Sequence, residues 1–115
     1  MQGVVGARRP SVAVYTKAVL DGLKGFDWDT HNAGHVARHG VAPAEVEEAV
    51  ERPHAIIPAR DAAGEKRWKL FGTSAAGRYL VVVFTLRDDR LRPVTAHTMN
   101  RRERRIYAPE IDNTP

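Results

Sequence analysis

The chain has 115 residues, is 43% hydrophobic and 7% aromatic, contains no cysteine, and sets 18 Lys+Arg against 14 Asp+Glu for a formal net charge of +4. That length fits one small domain able to bury a core unaided, and the missing cysteines exclude a disulfide scaffold, a Cys nucleophile, thiolate zinc sites and iron–sulfur clusters. The longest strongly apolar run, Tyr79 to Leu86, is far short of the roughly 18 residues that cross a bilayer, so no membrane contact and a cytoplasmic location are expected.

Gly3, Gly6, Arg8, Arg9 and Pro10 break any pattern before Ser11, so residues 1 to 25 read as an N-terminal extension. Within it, Val12, Tyr15, Leu20 and Leu23 partly fit helical spacing with Ser11 as cap, while Val12, Val14 and Thr16 alternate as in a strand. A short helix is the reading adopted. Residues 26 to 108 read as an α+β domain. After the aromatic segment Phe26 to Trp28, Asp29 or Thr30 caps a helix to about Arg38, closed by His39 and Gly40. Ala33, Val36 and Ala37 share its inner face, and His31, His35 and Arg38 point to solvent. Pro43 suits the first position of a second helix, which buries Val46, Ala49 and Val50, turns Glu45, Glu47, Glu48 and Glu51 outward, and stops at Pro53.

From Ala55 the period becomes two, and turn signals recur at Asp61 to Gly64, Gly72 to Gly77, and Asp88 with Asp89. The spacing predicts a four-stranded antiparallel meander: Ala55 to Ala59, Lys66 to Phe71, Tyr79 to Leu86, and Leu91 to Thr98. The third strand is apolar on both faces and is expected at the centre. Asn100, with Glu103 three residues on, opens a last helix with a capping-box pattern. Arg101, Arg102, Arg104 and Arg105 crowd its start, where positive charge opposes the helix dipole and invites an anionic companion. Residues 109 to 115 read as a flexible tail.

The basic excess is local. Residues 1 to 59 carry six basic and seven acidic side chains, whereas residues 60 to 106 carry twelve basic and five acidic. A basic half of this kind points to a polyanion or an acidic protein partner. Strand parity sets Trp68 and Leu70 on one face and Arg67 and Lys69 on the other; in the last strand Val94 and Ala96 take one face, Thr95 and His97 the other. If the apolar set packs under the helices, Arg67, Lys69 and His97 gather on the opposite face, with Glu65 and Arg78 at the rim. Such a set supports RNA cleavage without metal. A base takes the ribose 2′-hydroxyl proton, the alkoxide attacks the adjacent phosphate, an acid protonates the leaving 5′-oxygen, and guanidinium groups hold the developing charge. His97 suits acid or base work by its residue type, and Arg67, Arg78, Arg101 and Arg102 suit bidentate phosphate contacts. His31, His35 and His39 recur every fourth residue, but they lack a third ligand and the Glu of an HExxH motif, so a solvated polar face, or an edge that touches RNA or a partner, explains them better than a metal site.

Taken in order, Phe26-Asp27-Trp28-Asp29, Arg38-His39-Gly40-Val41, Glu45 to Val50, Glu65 with Arg67 and Trp68, Gly77-Arg78 before a Val-rich strand, and Arg101-Arg102-Glu103-Arg104-Arg105 with Tyr107 resemble the BrnT family of small toxins. The resemblance covers about residues 26 to 107. It implies a RelE-like fold and a cytoplasmic, metal-independent endoribonuclease that needs no cofactor and blocks translation. A neighbouring ribbon-helix-helix antitoxin would neutralise it, in a toxin–antitoxin hetero-oligomer or with the toxin as a homodimer. The candidate catalytic residues are His97, Glu65 and Arg67, and the candidate phosphate ligands are Lys69, Arg78, Arg101, Arg102 and Arg105. A non-catalytic module of the same fold that binds RNA or a protein is the alternative. His35 stands where many relatives carry Asn, and His97-Thr98-Met99 where many carry an Arg- or Lys-containing stretch.

Overall fold

The computed structural model describes residues 19–112. The helix expected from Ser11 lies outside them except for Val19 and Leu20, which are helical and pack with Leu23 on the core. The elements are β1 (Gly25–Phe26), α1 (Thr30–Arg38), α2 (Pro43–Glu51), β2 (His54–Ala62), β3 (Glu65–Thr73), β4 (Tyr79–Arg87), β5 (Arg90–Thr98) and α3 (Arg101–Asp112).

The meander β2 to β5 forms as expected, with β4 inside it, but the sheet has five strands in the order β1-β5-β4-β3-β2. The expectation of four antiparallel strands is therefore corrected by β1, which runs parallel to β5 with Gly25 opposite Arg90 and Phe26 opposite Leu91. Two residues are too few to show a period. Their pairing depends on Gly25 at φ 142°, a backbone state that side chains disfavour, and on Lys24 N and Asp27 N donating to Asp89 O and Leu91 O. The hairpin loops Ala63–Gly64 (φ 52° and 76°) and Asp88–Asp89 (φ 52° and 63°) hold positive φ at both positions. That is the signature of type I′ turns, whose twist matches the strands they join.

Both faces of the sheet are covered, unequally. Under α1 and α2 lie Ile56, Leu70, Leu80, Val82, Phe84, Leu91 and Ala96, packed on Val36, Val41, Val46 and Ala49 with Trp68 at the margin. On α1 the inner face is Asn32 and Val36, whereas Ala37, expected inside, is exposed. The buried Asn32 is fully engaged: its Nδ2 donates to Asp27 O and Pro93 O, and its Oδ1 accepts from Asp29 N. Asp29 is the cap, accepting from Asn32 N. The opposite face is covered only at one end, by α3, through Phe71, Val81, Met99 and Ile111 and a stack of Tyr107 on Phe71 with ring centroids 3.6 Å apart.

α3 begins as its sequence indicates, with Asn100 and Glu103 exchanging reciprocal cap bonds. It continues through Pro109 to Asp112, so Pro109 to Asp112, read as the start of a tail, belong to the helix. Buried Ile111 and the Tyr79 hydroxyl, which donates to the Asp112 carboxylate, fix that end. The acidic side of α2 is also not a free solvated face. Glu45 receives Arg78, Glu47 accepts from Trp28 Nε1, and Glu48 accepts from Ala75 N, leaving Glu51 exposed.

Candidate active site

Cross-strand register assigns the open face row by row. Ile57, Lys69, Val83 and Thr95 form one row, and Ala55, Phe71, Val81 and His97 the next toward α3. Toward the other end, Thr85 pairs with Arg92, and Arg67 stands on that side by the strand's alternation. A bulge makes this arrangement. Val83 pairs with Thr95 but Phe84 pairs with Pro93, so Val94 is an extra residue in β5. Unbroken alternation from Ala96 would send Arg92 under the helices. One added residue reverses it, placing Arg92 on the open side and Val94 at the site rather than beside Ala96.

There the face forms a cleft of about 180 Å³ lined by His31, Asn32, Glu65, Arg67, Thr85, Arg87, Arg92, Pro93 and Val94. The start of α1 forms one wall, because Asn32 ties it to the carbonyl of bulge residue Pro93. Arg87 Nε and Nη2 donate to the two Glu65 oxygens at 2.8 and 3.1 Å. That bond, ahead of the weaker pull of Arg67 and Arg92, holds the Glu65 carboxyl below the usual glutamate range. Arg92, whose side chain is 15% exposed, reaches Asp29 at 2.9 Å and Asp27 at 3.4 Å. Asp29 is lowered first by its Asn32 backbone bond and then by Arg92. Thr85 Oγ1 donates to Lys66 O.

Arg67 differs from its neighbours. No carboxylate among the described residues lies within ion-pair distance of it, and its Nε is sealed from solvent without an acceptor. A half-buried guanidinium with unmade hydrogen bonds is the one group in the cleft that still needs an anion.

The expected site residues thus divide. Glu65 and Arg67 meet in the cleft, and Lys69 lies one row away on the same face. His97 lies two rows away, about 13 Å along the strands, and is outside the lining; its Nδ1 donates to Thr98 O at 2.8 Å. Arg78 is at the far end of the sheet, bound to both Glu45 oxygens and to Gly40 O. Arg101, Arg102 and Arg105 are exposed on α3 with no ion pair among the described residues, and Arg104 lies 4.6 Å above the Tyr79 ring. Sequence reading left His31 on a solvated face or an edge touching RNA or a partner, outside the catalytic set, and gave Arg87 and Arg92 no role. Pro93 inside a strand was the available signal, since proline there marks an edge or a bulge.

Glu65, Arg67 and His31 line one cleft of a small α+β domain, and a carboxylate, a guanidinium and an imidazole are groups that phosphodiester cleavage can use. The family model for the ribonuclease toxin BrnT of type II toxin–antitoxin systems matches residues 28–103, more than half of the chain, and the chain belongs to that family. Comparison with curated proteins finds no match. The family is one of toxin ribonucleases, which implies an RNA substrate and an antitoxin protein partner. Among the described residues, no helix is long and apolar enough to cross a membrane.

Proposed function

We propose that this protein is a metal-independent endoribonuclease acting in the cytoplasm, that it cuts single-stranded RNA at the Arg67 cleft, and that a ribbon-helix-helix antitoxin restrains it. The unpartnered Arg67 guanidinium carries the reading. A phosphate non-bridging oxygen seated on the Arg67 guanidinium pairs its charge, and the guanidinium then stabilises the charge that grows on that oxygen as the 2′-oxygen attacks. Glu65, held ionised by Arg87, accepts the 2′-hydroxyl proton. His31, on the α1 wall of the cleft, gives a proton to the leaving 5′-oxygen, since an imidazole nitrogen can donate or accept. The products are a 2′,3′-cyclic phosphate and a 5′-hydroxyl. Each proton transfer has a protein group, so no metal-bound water is required.

The test is cleavage of a single-stranded RNA in EDTA at low salt by the purified full chain. Arg67→Ala, Glu65→Gln and His31→Ala are each expected to slow cutting by about 100-fold or more, while His97→Ala retains most of it. Intact RNA with the wild-type protein would refute catalysis, and tight binding without cutting would identify a non-catalytic RNA module. Loss of cutting in His97→Ala but not His31→Ala would move the acid to His97.

A further inference from the structure

The cleft wall made by α1 does not end at His31. Its outward face carries His31, Gly34, His35 and Arg38, spaced i, i+3, i+4 and i+7, and His39 follows as the C-terminal cap. The His35 and His39 rings meet edge to face with centroids 4.8 Å apart, and Arg38 Nη2 stands 3.5 Å from His35 Nδ1. Three groups that carry or accept positive charge are therefore packed together one turn from His31, with no acidic residue in the first turn after the Asp29 cap.

Nothing in the fold accounts for this grouping. None of these side chains has a carboxylate partner among the described residues. The elements packed against α1 bring Arg92 from β5, engaged by Asp27 and Asp29, and Glu47 from α2, engaged by Trp28. The charges acting on His35 are those of His39, Arg38 and His31. Gly34, in the middle of the face, has no positive φ, and a Cβ there would meet only Arg38 Nη1 at 3.7 Å. A helix-interior glycine is destabilising relative to alanine. Here it leaves the backbone open to close approach beside His35 and Arg38.

We infer that the His31–His39 face of α1 is a second RNA-backbone site, which binds the phosphodiesters flanking the scissile one and gains affinity as His35 protonates. The proposal rests on the cleft reading, because His31 belongs to both surfaces and sets the direction in which the strand leaves Arg67. Crowding opposes protonation: desolvation first, then His39, Arg38 and His31, hold His35 below the usual histidine value. A phosphate brought alongside removes that opposition, so strand binding takes up protons and tightens as the pH falls.

Binding of a fluorescent single-stranded 2′-deoxy oligonucleotide, which the enzyme cannot cut, reads this directly by anisotropy in EDTA at low salt. The wild-type chain is expected to bind at least about threefold more tightly near pH 5.5 than near pH 8. In the His35→Gln/His39→Gln double variant that ratio falls close to one, while Arg38→Ala weakens binding at both pH values. A double variant that keeps the wild-type ratio overturns the proposal. A wild-type affinity independent of pH overturns it too but leaves the cleft intact, whereas a folded wild-type chain that fails to bind at either pH refutes the cleft reading as well.

Discussion

Arg87 is tied to Glu65 by two hydrogen bonds while both side chains stay substantially exposed, at 48% and 30%. An ion pair so open to water adds little to stability, so its effect is on the carboxylate itself. The bond favours the ionised form, and Glu65 titrates below the usual glutamate value. For a general base the sign is direct: the proton-accepting form persists as the pH drops through the ordinary range near 4.3, and activity is lost only below it. In Arg87→Gln the carboxyl returns toward that range, so the acid limb of the kcat/KM profile should move to higher pH. A fold defect would lower the whole profile without moving its limb. An unmoved limb in a variant with native circular dichroism would show that Glu65 is not the base.

The elements are held by different means from those their patterns suggest. α2 is amphipathic, but its acidic side pins the Ser74–Arg78 loop: Arg78 binds both Glu45 oxygens, and Glu48 receives Ala75 N. Most of the meander was legible because period two and Gly, Asp and Pro punctuation are local properties. The bulge at Val94 was not, although it moves Arg92 to the working face, since Pro93 signals an edge or a bulge without fixing which, and the register is set by the partner strand. β1 escaped for the same reason, as its partner Arg90 lies 65 residues away. The cleft was half legible: alternation alone brings Glu65 and Arg67 together, but His31 reaches it through a tertiary bond from Asn32 to Pro93. One local choice remains unfavourable. Ala63 sits at φ 52° in the β2–β3 turn, where Asn-Gly is the preferred pair. Ala63→Asn should therefore stabilise the protein by roughly 0.5–1 kcal/mol, seen as a rise of about 3 °C in Tm. No rise would show that the turn is not limiting.

Across the whole molecule, an approaching strand meets only part of the basic excess of residues 60 to 106. Arg78, Arg87 and Arg92 are neutralised locally, two of them by Glu45, Asp27 and Asp29 from the near-neutral first half. Among the cations that remain open are Arg67 and Lys69 on the sheet face, the α1 histidine face, Arg60, Lys66 and Arg90 along the strands, and Arg101, Arg102 and Arg105 on α3, which covers the other end of the same sheet face. A strand crossing from the cleft past Lys69 would meet α3, whose cations lie near the helix N-terminus against the dipole and gain by losing that repulsion to phosphate. Binding should therefore be strongly salt-dependent, with each phosphate contact on a single strand adding about 0.7 to the slope of log K against log salt. Changing Arg101, Arg102 and Arg105 together to Gln should reduce that slope by about two if all three touch phosphate. Cleavage at saturating RNA should survive, because none of the three lines the cleft. An unchanged slope would free α3 from RNA and leave its exposed Ile106, flanked by those arginines, as a surface for an acidic protein partner. A copurified antitoxin that raises the melting temperature only when the three arginines are intact would then identify that partner.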